Sequence, residues 1–167
     1  MITSTDTAFL YRCIDLAKEA VEAGDDPFGS LLLGANGKIL KEERNRIHTE
    51  SNLSLHPEFT LALWAEKNLS PADRAAATVY TSGEHCPMCA AAHAYAGLGR
   101  IVYASSSRQL AGWMEELGVG EGVVATLPVQ QVAPGLVVDG PAINLREPIF
   151  ELHRLRKERR DGAKAEV

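Results

Sequence analysis

Along the first helix-sized stretch, Phe9, Leu10, Cys13, Leu16, Ala17, Ala20 and Val21 recur at a spacing that puts them on one stripe. That pattern predicts an amphipathic helix over 7–23, stopped by Gly24 and an Asp25-Asp26-Pro27 turn. Gly29 to Ala35 then reads as an apolar strand and Lys38 to Asn45 as a strand with mixed faces. Asn36-Gly37 makes the turn between them. A polar loop over 46–55 leads to His56. Residues 57–69 follow as a helix that offers Phe59, Ala62, Leu63 and Leu69 to a core, and Ser70-Pro71-Ala72-Asp73 breaks it. Thr78 to Thr81 is a short buried strand, 87–97 an Ala-rich helix, Ile101 to Ala104 a strand, and Trp113 and Met114 lie on a helical turn. The Gly-rich segment beyond has no readable period. Val129 to Val132 is the candidate fifth strand, 146–159 the last helix, and 161–167 a flexible tail. Helices alternating with strands imply an α/β sandwich with helices on both faces of the sheet.

At 167 residues the chain is expected to form one domain over 1–160 with a proper core, and it shows no internal repeat. No apolar run approaches the roughly 20 residues that cross a bilayer. The first residues lack a basic region followed by an apolar stretch, so no membrane partner and a cytoplasmic location are expected. Three cysteines, an odd number, suit a reducing compartment, and Cys13 falls on the apolar stripe of the first helix. A net charge of −5 and a pI near 5.5 argue against a polyanionic partner and for a small neutral one.

The chemistry is concentrated in two short segments, His56-Pro57-Glu58 and Cys86-Pro87-Met88-Cys89. One imidazole and two thiolates give a zinc ion three protein ligands and leave a tetrahedral position open, the mark of a catalytic site. Glu58 is then free to move protons. In each arm a ligand is followed by proline and then by a helical pattern. Proline at the first helical position gives up only a donor that would be orphaned, so His56 and Cys86 are expected at helix caps, with Cys89 in the first turn beyond. Two positive helix ends aimed at one spot favour thiolates there. C-x-x-C alone also fits a redox pair or half of a structural zinc site. The first leaves His56 and Glu58 unexplained, and the second lacks an obvious fourth ligand.

With these motifs the chain resembles the cytidine deaminase-like superfamily of zinc deaminases, and within it the bacterial guanine deaminase, or nucleobase deaminase, branch. The match runs from the first helix to residue 158: Pro27-Phe28-Gly29, Asn45-Arg46, the H-x-E helix, Thr81-Ser82-Gly83-Glu84-His85-Cys86-Pro87-Met88-Cys89, and Arg100-Ile101-Val102-Tyr103. The resemblance implies a three-layer α/β/α sandwich around a five-stranded mixed sheet, one Zn2+ per subunit and a homodimer. It also implies hydrolytic release of ammonia from an amino-heterocycle by hydroxide on the zinc. His56, Cys86 and Cys89 match the ligands, Glu58 the proton shuttle, and Asn45 the residue that hydrogen-bonds the ring. Phe28, Trp113 and Glu115 fall where relatives line the pocket. There are two departures. Pro57 has no N–H where relatives can donate one, and His85 stands where relatives carry proline, adding a titratable ring beside the metal and a further candidate for substrate contact.

A free nucleobase or similar ring is the first expected substrate, guanine-like first and cytosine or amino-triazines next. Editing of adenosine in transfer RNA, nucleoside deamination and a non-catalytic binding role are the alternatives. The basic run His153 to Arg160 is interrupted by Glu158 and reads as a solvated helix face.

Overall fold

The period-2 alternation of three strands fixes the layers. In a computed structural model describing residues 1–120 and 122–165, Leu31, Tyr80 and Val102 are paired side by side across the sheet and point to one face. Leu32, Val79 and Ile101 are paired likewise and point to the other. The strands are β1 (Gly29–Leu33), β2 (Ile39–Arg44), β3 (Thr78–Gly83), β4 (Arg100–Ser105) and β5 (Val138–Asp139). Their order is β2-β1-β3-β4-β5, antiparallel from β2 to β3 and parallel from β3 to β5. This is the expected mixed five-stranded sheet.

The first face is covered by α1 (Ser4–Ala23) and α7 (Arg146–Ala165), which contribute Leu10, Cys13, Ile149 and their neighbours. Trp113 of α5 (Ser107–Glu116) joins that core. The second face is covered by α2 (Pro57–Asn68) and α4 (Pro87–Ala96), which also pack against each other. On α2 the inward row is Glu58, Leu61, Ala62 and Ala65, a spacing of three and four residues. Of the residues expected inside, Ala62 is buried, whereas Leu63 is exposed. Among the described residues no helix is long and apolar enough to cross a membrane.

Four boundaries differ from the sequence reading, each for a local reason. The first helix begins at Ser4, because Thr3 caps it and Asp6 reaches back to the Thr3 amide at 2.8 Å. Ser70-Pro71 both ends α2 and starts a short helix, α3 (Pro71–Ala76), with the Ser70 hydroxyl as cap. Val129–Val132 is not the fifth strand but a helical turn, α6. Proline stands on each side of it, and Val129 packs against Ala90, Ile101 and Tyr103. The strand is instead Val138–Asp139, whose two residues pair with Ile101 and Val102. The helix expected to end near 159 continues to Ala165, helped by an ion pair between Lys157 and Asp161 one turn apart, so the expected flexible tail is helical over 161–165. Residues 166 and 167 lie outside the described residues.

Asp6 couples α1 to the neighbouring strands β3 and β4. Its carboxylate is buried and accepts bonds from the Tyr80 hydroxyl at 2.7 Å and from Arg100 at 2.8 Å as well as from Thr3. Burial opposes its ionisation, but the bonds from Arg100, Thr3 and Tyr80 together outweigh it and hold Asp6 well below its ordinary value of 3.8. The stabilisation is therefore present above that ordinary value and is lost as pH falls toward the lower folded value. Asp6→Asn is expected to lower unfolding free energy at neutral pH by about 1.5–3 kcal/mol. The gap from wild type should close in acid, as read by urea denaturation over a pH series.

Candidate active and metal centre

Both arms of the site enter a helix from one extended residue, His56 at the end of the turn-rich loop after β2 and Cys86 just beyond β3. His56 (φ −71°, ψ 136°) and Cys86 (φ −66°, ψ 167°) are the N-cap residues of α2 and α4, each followed by proline at the first helical position. Neither side chain caps its own helix, so both are free to face each other. The ligand atoms of His56, Cys86 and Cys89 all lie within 4.8 Å of one another, and His56 Nδ1 stands 3.8 Å from Cys86 Sγ. Metal–ligand distances of about 2.0–2.3 Å place tetrahedral zinc ligands about 3.5–3.8 Å apart, so this nitrogen and two sulfurs could hold such an ion with little movement. Among the described residues no fourth His, Cys, Asp or Glu joins the group. Cys89 is buried, whereas His56 and Cys86 are half-buried, so the group has an open side.

Glu58 is buried directly behind it. Oε2 lies 3.8 Å from Cys89 Sγ, and Oε1 accepts a bond from the Thr81 hydroxyl at 2.9 Å. The Ser30 hydroxyl donates to Thr81 in turn at 2.9 Å. Burial pushes the Glu58 carboxyl above its ordinary value, against the pull of nearby His56. Cys86 is drawn down to about 4, chiefly by the hydrogen bond from the Cys89 thiol and also by His56, whereas its charge and burial push Cys89 up. His56 is raised, first by its contact with Cys86. Of these groups only Cys86 is favoured as an anion, and Glu58 and Cys89 are held toward their neutral forms by burial and by each other's charge, a crowding of acidic groups that a cation at the centre would relieve.

The remaining candidates divide into two sets. Asn45 and Phe28 lie on one row of the sheet with Gly83: the Asn45 amide donates to the Phe28 carbonyl at 2.9 Å, and the Phe28 ring crosses the Gly83 Cα. A Cβ on Gly83 would stand 3.0 Å from that ring. Asn45 is buried, and its Oδ1 accepts the Ile47 amide at 3.1 Å, so its Nδ2 remains to donate. Trp113, Glu115 and His85 do not converge on the donors. Trp113 is buried between Phe150 and His153, and Glu115 is exposed beside a separate cavity of about 690 Å3 against α5. His85 is fully buried edge-on against His93, 5.2 Å between centroids, where burial pushes its pKa well down.

Three contributors were not singled out from sequence. Ser30 and Thr81 are polar residues paired on buried strands, and that alternation was the available signal. Glu84 lies in the matched segment but was given no role; its carboxylate accepts the Ser107 amide at 2.8 Å and the Val129 amide at 2.9 Å, tying the segment before Cys86 to α5 and α6.

A family model for MafB19-like deaminases matches residues 4–124. The chain belongs to the MafB19-like deaminase family. With it the chain falls in the cytidine deaminase-like superfamily, as its motifs implied. This MafB19-like chain is 36% identical over 98 residues to guanine deaminase of Bacillus subtilis, covering 58% of the chain and 62% of the relative. It is 33% identical over 98 residues to the tRNA-specific adenosine deaminase of the same organism, covering 59% and 60%. It is 34% identical over 102 residues to tRNA(Ile)-lysidine synthase of Deinococcus deserti, covering 61% and 19%. The chain thus spans less than two thirds of these relatives' lengths. A structure of guanine deaminase from Nitrosomonas europaea shares the fold, with a TM-score of 0.68 at 19% identity over 95% of this chain and 86% of that one.

The donor geometry predicts one zinc per chain by elemental analysis. Changing His56, Cys86 or Cys89 singly to Ala should reduce metal content to a small fraction, whereas Glu58→Gln should leave it at one.

Proposed function

We propose that this chain is a zinc-dependent hydrolytic deaminase of a small amino-heterocycle, with guanine-like rings first among its substrates. The observation that carries the reading is Glu58: a buried carboxyl, held by Thr81, beside three metal donors but not one of the bound group. His56, Cys86 and Cys89 would hold the zinc, which when bound supplies a Lewis acid and lowers the pKa of a water to about 7.

Every proton step then falls to Glu58. Its raised pKa lets one carboxyl both accept a proton and return it near neutral pH. Glu58 takes a proton from the attacking water, protonates the ring nitrogen, and passes a further proton to the departing amine. The new carbon–oxygen bond replaces the carbon–nitrogen bond, and water plus amine becomes carbonyl plus ammonia. The Thr81 bond to Oε1 fixes the carboxyl so that Oε2 is the oxygen turned to the donors. Asn45 Nδ2 would donate to a carbonyl or ring nitrogen of the substrate, and Phe28 would bound the ring where it crosses Gly83. Pro57 offers no amide there, so acceptor groups on the ring depend more heavily on Asn45.

Likeness to tRNA adenosine deaminases supports a second reading, action on RNA. The α7 charges speak against it: Arg154 pairs with Glu151 and Glu158, and Lys157 with Asp161, so much of the basic run is neutralised on its own helix.

Ammonia release measured over free bases, nucleosides, amino-triazines and an anticodon stem-loop tests both readings. Activity is expected on at least one free ring and to fall about 10²–10⁴-fold in Glu58→Gln. Silence across the free rings, or turnover confined to the stem-loop, would remove the leading reading.

A further inference from the structure

The lead-in to β1, α5 and α7 enclose a second pocket of about 250 Å3. Its walls are apolar: Phe28, Leu110, Met114 and Val119. His153 of α7 lies against them, its ring edge-on to Phe28 at 5.4 Å and tilted on Trp113 at 5.7 Å. His153 is buried, and its Nε2 has no hydrogen-bond partner; neither has the buried Nε1 of Trp113 beside it. Buried polar nitrogens are normally satisfied, so the orphaned Nε2 of His153, a residue of the pocket wall, indicates a missing polar partner. Burial draws the imidazole down to about 4, so it meets a ligand as a neutral ring.

The mouth is positively charged. Arg156, Lys157 and Arg160 line it against a single lining carboxylate, Asp26. Asp26 accepts from Arg156 at 3.1 Å, Lys157 is answered by Asp161, and Arg160 forms no ion pair among the described residues. We propose that this pocket is a binding site for a small aromatic anion, one ring carrying one phosphate or carboxylate, with the ring between Phe28 and Met114 and the anion at Arg160, the lining base left without an acidic partner among the described residues. The apolar depth excludes a bare ion, because charge without a ring leaves the walls unfilled. The dimensions exclude a polynucleotide, whose phosphates need an extended basic track, whereas the outward charges of α7 are paired with acids on the same helix. The inference uses neither the metal donors nor Glu58, and of the residues named for the proposed substrate cleft it shares Phe28.

Calorimetric titration of the full chain with phenyl phosphate, inorganic phosphate and phenol tests it. Phenyl phosphate should saturate one site per chain, and the other two should bind about tenfold more weakly or worse. Arg160→Ala combined with Lys157→Ala, both at the rim, should weaken phenyl phosphate by about tenfold with the thermal midpoint nearly unchanged. His153→Phe keeps the ring contacts and removes the nitrogens, and should weaken it as well. Equal affinity for inorganic phosphate, no saturable binding, or indifference to the rim substitutions would overturn the proposal. Displacement of phenyl phosphate by an RNA stem-loop at lower concentration would also overturn it, in favour of a polyanion track.

Discussion

The site depends on two helices starting at the same place. α2 and α4 lie side by side on one face of the sheet, and their first residues meet beyond the end of β3. A ligand followed by proline does this economically. The ligand residue stays extended, the proline presets the helical turn, and the side chain is left uncommitted to capping. Cys89 then arrives one turn into α4 without any further loop. Had either helix started one residue later, the imidazole and the sulfurs would face different directions. The metal donors are therefore a consequence of helix register, and helix register is held by the Leu61, Ala62 and Ala65 row against Leu32 and Val79.

The rest of the cleft follows from strand register. Ser30 faces Thr81 across the β1–β3 ladder, on the side where α2 packs, so the Thr81 hydroxyl reaches Glu58 from below with Ser30 bonded behind it. One row further along, Asn45, Phe28 and Gly83 line up at the rim. The carbonyl ends of β3 and β4 open at this same edge, where ligands of open α/β sheets generally bind. Burying Glu58 beside two thiols is electrostatically unfavourable until a cation balances them. That imbalance, with the donor geometry, suits the centre to the proposed metal better than to a packed core.

Much of this was legible in the sequence because it is local. Residue, proline, helix is a pattern of three or four neighbours, and His56, Glu58, Cys86 and Cys89 could be placed from it. Strand alternation likewise placed β1, β3 and β4. What was not legible depends on partners far along the chain. Two-residue β5 has no period to read and exists only because β4 offers an edge. Val129–Val132 looks like a strand by composition, yet its prolines and its packing on Ala90 make it a helical turn. Trp113 and His85 are residue types that suit a pocket, and only tertiary packing shows that their rings are spent against Phe150, His153 and His93.

The central claim is a metal held by three side chains with a fourth position left for a non-protein ligand next to Glu58. A crystal structure with anomalous scattering recorded at the zinc edge tests it most directly. The account predicts one zinc peak bonded to His56 Nδ1, Cys86 Sγ and Cys89 Sγ, its fourth ligand a solvent atom within hydrogen-bond reach of the Glu58 carboxylate. A fourth ligand from the protein, or a disulfide joining Cys86 to Cys89 with no metal, would contradict it.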